Sequence, residues 1–529
     1  MHFSPYEASP THIVYACLGG FVVLFSMISR FAKEKLHVGE VVFATLFGIA
    51  IGPSGANIFT PRSWGKMSDA TTNEITLEVT RIVLALGVFA IGVELPKAYM
   101  AIHWKSLVLT VVPVMAWGWF VSAGLIVALF PSLTYQSALV ISACLTPTDP
   151  VLAAAIVGGH FADKNVPGHI RKLLAAESAA NDGLAYPFLW LPLYLTLDSD
   201  TGTAIKDFVT TALLYQVVLG VIVGTVLGYL FNKIMRFAES RGYVGPDSYA
   251  IQFVSLSLFT IGLVTIIGSD DLLAAFAAGC AVSWDGHFNE QTEDNAVFAA
   301  IVILNCAVFV FIGSWIQFSD MTVPALDITP GRLAAFFFSI LFVRRIPPMI
   351  LLYKIVPDIH SWQEALFCGW FGPMGVGAVF ISTLALINLQ APSVVPKHQN
   401  ELLISAIQPI VAFTILGSIL VHGLSISAFS LLKKVNTITT LSRTTTMNNQ
   451  APEWLNQTRR SPPAGIQPVG GARSVAFAAA ASVDPSSTIS LELPIPQVPE
   501  ASPNTPPVIV DIEVRKKIAF MALVSAVIV

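Results

Sequence analysis

The sequence predicts an all-α polytopic membrane protein with about 13 transmembrane helices, built as inverted repeats with two crossing discontinuous helices. Three observations carry this expectation. Of the 529 residues, 54% are hydrophobic and only 12% charged, against roughly 25% charged in soluble domains, and the mean hydropathy is +0.70. Apolar runs approaching the roughly 20 residues that cross a bilayer recur from residue 13 to residue 432. Two of those runs are interrupted in their middles by Pro and Gly, seven runs apart. Matching breaks in two halves of a chain are the sequence mark of inverted-repeat transporters, whose substrates bind where the broken helices cross.

The runs lie at about 13–29, 38–58, 79–95, 106–130, 136–159, 171–197, 204–232, 248–268, 270–284, 296–316, 331–353, 362–388 and 402–432. The ninth is short, and joining it to the eighth would leave twelve. Lys and Arg gather on the cytoplasmic side of membrane proteins, so loop charge tests the count. Loops after odd-numbered runs carry Arg30, Lys33, Lys35, Lys97, Lys105, Lys164, Arg171, Lys172, Lys233, Arg236, Arg241 and Lys354. Loops after even-numbered runs carry only Arg62, Lys66, Lys206, Lys397 and the borderline Arg81 and Arg332. The bias places the N-terminus outside and the C-terminal tail in the cytoplasm. The loop DGHFNEQTED, residues 285–294, falls on the cytoplasmic side without any Lys or Arg, but acidic residues weigh little in this rule.

The expected organisation is a short extracellular N-terminus (1–12), a transmembrane domain (13–435) and a disordered cytoplasmic tail (436–529). The tail, with stretches such as TITTLSRTTTMNNQ and LPIPQVPEASPNTPP, has too little apolar surface to offset the entropy of ordering. Its partners are not readable, nor is the role of the apolar run 518–529. The opening MHFSPYEASPTH has no basic n-region, so no signal peptide is expected. Cys17, Cys144, Cys280, Cys306 and Cys368 all lie in apolar runs, an odd count that argues against a disulfide framework. Net charge is -4 with the basic residues scattered, which leaves no basic face for nucleic acid.

Ionisable side chains inside a membrane span are costly, roughly 2.5–3.5 kcal/mol each on insertion scales, and mark function. In ACLTPTDPVLAAA, Pro147 and Pro150 flank Thr148 and Asp149. The prolines remove two backbone donors and disfavour helix at the residues before them, and a break at membrane depth is tolerated only inside protein or against water. Unwound backbone there is free to hold an ion. In the next run, AAESAANDGLAYP places Glu177, Ser178, Asn181 and Asp182 on one broad helical face. Their oxygens are hard ligands suited to an alkali cation rather than a transition metal. Glu94 closes the third run and reads equally as a site residue or a snorkelling end-of-helix acid. Arg344 and Arg345 lie midway along the eleventh run, too deep to reach water, and demand a buried carboxylate. Asp270 and Asp271 open the ninth run, as an exposed loop end or an ion-access point. The second interrupted run, WFGPMGVGAVF, carries Gly372, Pro373 and Gly375.

TDPVL followed by ESAANDG resembles the cation/proton antiporters of the sodium/proton exchanger type. GSDDLLAAFAAG with GWFGPMGVGAVF is similar to their fungal plasma-membrane branch, the alkali cation/proton antiporters. The likeness covers approximately residues 10–435. It implies an ion site at Thr148, Asp149, Ser178 and Asp182, supported by Asn181, with Glu94 joining in some members. It also implies a structural ion bridge from Glu177 to Arg344 or Arg345, and a homodimer in the plasma membrane. Animal members often show Gly-Leu-Arg-Gly where this chain has Gly372-Pro373-Met374-Gly375.

These residues suffice for exchange of Na+ and Li+, with K+ a further candidate, against H+ without an enzymatic step or cofactor. Burial and a neighbouring acid both disfavour an ionised carboxylate, so protons compete with the cation for Asp182 and Asp149. No GxxxxGK[ST] motif is present, so the expected energy source is an ion gradient. Two rival classes remain. A cation channel would use the same oxygens but lacks a repeated filter like TVGYG; a membrane sensor or scaffold acting through the tail would leave the buried acids without a role.

Overall fold

Where Pro and Gly fall inside apolar runs, they decide how this chain is cut into helices. The computed structural model describes residues 9–36, 38–64, 69–157, 166–198, 200–292, 295–389 and 398–444. The tail from residue 445, including the run 518–529, and residues 1–8 lie outside the described residues. Among the described residues the chain is nearly all helical, with one isolated antiparallel bridge between Val323 and Ile328.

Among the described residues, seven helices are long and apolar enough to cross a membrane: Pro10–Leu36, Asp69–Glu94, Trp104–Leu129, Thr201–Ser240, Ser248–Ile267, Pro330–Leu352 and Gln399–Ser425. Shorter apolar helices are Glu40–Ile51, Tyr135–Cys144, Asp271–Val282, Ala300–Trp315 and Val376–Asn388. Gly168–Leu197 is long enough at 30 residues, yet Arg171, Lys172, Glu177 and Asp182 make it unusually polar.

The eighth and ninth runs are separate helices. Pro246–Ile267 ends at Gly268, whose φ of +80° only glycine adopts without strain. Asp271–Val282 then begins with an N-cap, the Leu273 N–H donating to Asp270 Oδ1 at 2.9 Å.

Both interrupted runs are discontinuous helices. Tyr135–Cys144 unwinds and resumes as Pro150–Val157, with Pro150 at a first-turn position that needs no donor. Trp362–Trp370 unwinds and resumes as Val376–Asn388. The eleventh run, expected as one span, is also cut: Pro330–Val343 stops at Arg344 and Ile346–Leu352 restarts beyond Arg345. Pro347 and Pro348 explain it, since neither can donate to the preceding turn.

Helix Asp271–Val282 is packed so closely that side chains are excluded beside it. A Cβ on Gly220 would meet the Asp270 carbonyl oxygen at 2.8 Å, and Gly224 and Gly228 abut the Ala274 and Ala278 backbone in the same way. The glycine series is therefore an intramolecular seam of the small-residue type that membrane helices use for close approach.

The inter-helix loops sort into two groups by contact. After odd-numbered runs, His103 meets Asp358 at 2.9 Å, Arg236 pairs with Asp285 and His287 Nε2 lies 2.8 Å from Glu239. After even-numbered runs, Arg62 pairs with Asp320 at 2.7 Å and the Gln399 amide donates to the Ser132 carbonyl. The loop at 285–294, which lacks cations of its own, takes one from the adjacent loop. Burial opposes the charge on Asp285, but the His287 N–H and the Arg236 guanidinium prevail and hold its carboxyl below the usual range.

Candidate ion-binding site

The two unwound segments cross, and a single carboxylate ties them together. Asp149 Oδ1 accepts the N–H groups of Val151 and Leu152 at 2.8 and 2.9 Å, capping the helix that follows it. Its Oδ2 accepts the Val376 N–H at 2.5 Å, at the start of the other resumed helix. The Asp149 N–H in turn donates to the Pro373 carbonyl at 2.8 Å. One anion thus sits at two helix N-termini, where orphan N–H groups and the helix dipoles favour negative charge.

The opposite ends of the breaks receive a cation. Arg344 donates from Nη1 to the Leu145 carbonyl and from Nη2 to the Gly372 carbonyl at 2.5 Å, oxygens that lost their helical partners when each chain unwound. Arg345 points elsewhere: its Nη1 and Nη2 meet Glu177 Oε1 and Oε2 at 2.6 and 3.2 Å. Nη2 also reaches the Cys368 carbonyl at 3.2 Å. The acid–arginine bridge read from the sequence is accordingly Glu177–Arg345, and Arg344 caps both breaks.

Asp182 is different in kind from Asp149. It is 1% exposed, and neither of its carboxylate oxygens has a hydrogen-bond partner among the described residues. A Cβ on Gly377 would meet Asp182 Oδ1 at 2.5 Å; a glycine in the first turn of the resumed helix is what makes room for this carboxylate. Beside it, the Thr148 N–H donates to Asn181 Oδ1 at 2.9 Å, and Asn181 Nδ2 donates to Thr148 Oγ1 at 2.7 Å. Thr148 Oγ1 and Ser178 Oγ lie 3.0 Å apart. Asn181 thereby holds the unwound backbone against the Gly168–Leu197 helix, and the hydroxyls of Thr148 and Ser178 face the same interface.

Glu94 is not brought into this cluster. It is exposed in the last turn of its helix, and among the described residues no hydrogen bond or ion pair links it to the aspartates. Asp270 and Asp271 are not an exposed loop end, being 0% and 2% exposed. Asp271 Oδ2 forms an ion pair with Arg81, whose Nε lies 2.7 Å away, and accepts from Thr265 Oγ1 at 3.2 Å, while Tyr186 OH donates to Oδ1 at 3.3 Å. Tyr186 is one helical turn beyond Asp182 on the same helix, so this second network adjoins the aspartate pair. Asp270 Oδ2 and Gln216 Oε1 are buried atoms without a hydrogen-bond partner among the described residues.

Sequence reasoning missed Arg81, taken as a loop-end cation, and Tyr186. It also missed the support behind the second break, where Ser418 Oγ accepts the Met374 N–H at 2.7 Å and His422 Nε2 lies 3.1 Å from the Trp370 carbonyl. A buried His inside an apolar run was the available signal for the last of these.

Two discontinuous helices crossing at buried carboxylates, in an apolar helical body, define a secondary-transporter architecture. Residues 20–432 match the family described as sodium/hydrogen exchanger, transmembrane, and the chain belongs to that family. It is 41% identical to a probable Na+/H+ antiporter of Schizosaccharomyces pombe, over 91% of this chain and 64% of that protein. It is 40% identical to a Na+/H+ antiporter of Saccharomyces cerevisiae, over 85% of this chain and 47% of that protein. A further S. pombe Na+/H+ antiporter is 36% identical over 82% of this chain and 93% of its own length. The chain therefore spans less than two thirds of the first two relatives. The solved sodium proton antiporter MjNhaP1 from Methanocaldococcus jannaschii shares the fold, with a TM-score of 0.57 at 18% identity, covering 80% of this chain and 99% of that one.

Proposed function

We propose that this protein is a secondary-active antiporter that exports Na+ and Li+, with K+ as an additional substrate to be tested, in exchange for protons. The observation that carries the proposal is Asp182: a buried carboxylate with no hydrogen-bond partner among the described residues, one helical turn from Ser178 and set against the resumed helix at Gly377. Leaving such a group charged and unpaired is costly, so it takes either a cation or a proton, and the two exclude each other. A neutralised site crosses the hydrophobic barrier far more cheaply than an empty, charged one. Exchange is the consequence of that exclusion.

Asp149 accepts three N–H groups and ties the two resumed helices together, while Asn181 and Thr148 fix the unwound segment beside Asp182. Arg344 and the Glu177–Arg345 bridge hold the crossing together. The Asp271–Arg81–Tyr186 network, with Asp270, closes one side of the site and lies on the ion pathway. No resident cofactor enters this scheme; the bound species are the cargo.

The setting proposed is the plasma membrane, as a homodimer with the N-terminus outside and the C-terminus in the cytoplasm, where export would regulate intracellular sodium, potassium and pH and support salt tolerance. The transmembrane domain would run over 13–435, and Glu94 lies outside the central cluster.

The test is dissipation of an imposed pH gradient in proteoliposomes by sodium, lithium, potassium and choline in turn. Alkali-specific proton movement by the wild type, lost in Asp182→Asn at equal reconstitution, is expected. Full exchange in that variant would overturn the proposal; proton movement with choline would point to a leak instead.

A further inference from the structure

Outside the aspartate site, one cluster combines two imidazoles and a carboxylate from segments about 190 residues apart in sequence. His169 is the second residue of the Gly168–Leu197 helix, and His360 and Glu364 flank the start of Trp362–Trp370, which Ser361 caps. His169 Nε2 lies 3.5 Å from Glu364 Oε1, and His360 Nδ1 lies 4.0 Å from Glu364 Oε2. The two imidazole rings are 4.7 Å apart between centroids, and one ligand atom from each residue falls within 4.8 Å of the others.

We infer that His169, His360 and Glu364 form a binding site for a divalent transition metal of the zinc type. The donor set selects that class: two imidazole nitrogens and one carboxylate suit Zn2+, and three protein ligands with an open fourth position are an established zinc arrangement. Calcium and magnesium prefer all-oxygen shells. Tetrahedral bonds of about 2.1 Å place ligand atoms about 3.4 Å apart, so the His169–Glu364 pair already has the spacing. His360, 64% exposed at its side chain, is free to close the rest. A second observation points the same way: His169 Nε2 is buried and has no hydrogen-bond partner among the described residues, where Glu364 Oε1 lies 3.5 Å away. The Glu364 carboxylate is oriented from behind, since its Oε2 accepts the His360 N–H at 2.7 Å.

The position gives the site a consequence. His169 is 13 residues from Asp182, or about 20 Å along the helix at 1.5 Å per residue, so the metal would not touch the transported ion. It would join the start of the aspartate-bearing helix to the first half of the second broken helix and brace that pair. A ligand bound only by the folded state raises its stability in a saturable, concentration-dependent way.

Purified full chain, free of any affinity tag, is titrated with zinc chloride against a chromophoric chelator, beside His169→Gln and His360→Asn, and thermal unfolding is followed at each zinc level. Wild type is expected to bind one more equivalent than either variant, with at least tenfold tighter affinity for that equivalent, and to gain thermal stability that magnesium chloride does not reproduce. Equal zinc stoichiometry in wild type and both folded variants would overturn the inference, as would a thermal gain that both variants retain. Neither readout depends on transport.

Discussion

Asp149 and Asp182 are neighbouring buried acids with different hydrogen-bonding, and that difference predicts opposite mutational behaviour. Asp149→Asn turns an acceptor of the Val376 N–H into a group with a donor on one side, so one buried N–H or the amide goes unsatisfied. The expected cost is about 1–3 kcal/mol. Asp182→Asn removes a carboxylate that has no partner to lose, so thermal unfolding in detergent should show it at least as stable as wild type while Asp149→Asn melts earlier. Equal destabilisation by both would mean that Asp182 is bonded in the native state after all. Glu177→Gln has a third signature. It leaves Arg345 buried and unmatched, which costs about 3–5 kcal/mol, seen as a large fall in melting temperature. Arg345→Lys should not rescue the bridge, because an ammonium cannot make the two parallel bonds that the guanidinium makes with Oε1 and Oε2.

At the scale of helices, the crossing obeys a simple electrostatic arrangement: an acid where helices begin and an arginine where they end. Arg344 serves two breaks at once through the Leu145 and Gly372 carbonyls. Arg344→Met, which keeps the apolar stem but removes the donors, should loosen both unwound segments together. Hydrogen exchange at the amides of 145–149 and 371–375 is expected to rise in concert; a rise in only one segment would refute the shared cap. Packing makes a separate prediction. Gly224→Leu must push against the Ala274 backbone, whereas Gly262 has open space around it. The first substitution should cost at least about 1–3 kcal/mol by overpacking and reduce monodisperse yield, and Gly262→Leu should leave yield unchanged.

At the scale of the whole molecule, the loops after odd-numbered runs contact one another and those after even-numbered runs do the same. The expected labelling pattern is therefore two-sided. Single cysteines at Asp285 and Lys354, in a background without native cysteines, should react with an impermeant thiol reagent only from the cytoplasmic side of intact cells or oriented vesicles. A cysteine at Asp320 should react only from outside. Labelling of Asp285→Cys and Asp320→Cys from the same side would mean that the Asn295–Trp315 helix between them does not cross.

Much of this was legible in the residues themselves, for a reason peculiar to the bilayer. A solvent that cannot hydrogen-bond makes each interrupted helix and each buried charge costly, so Pro147, Pro150, Asp149, Asp182 and the paired arginines stand out against an apolar background. The sequence by itself determined the helical membrane class, the two principal breaks and the acids that surround them. It also showed that the paired arginines need a buried carboxylate, and the family resemblance implied Glu177, but tertiary structure decided which arginine meets it, since Arg345 is 168 residues away and spacing says nothing at that distance. The same holds for the burial of Asp270 and Asp271, for Arg81 beside Asp271, and for His169 beside Glu364. Local chemistry specifies what a side chain needs; only packed helices decide which distant group is near enough to meet that need.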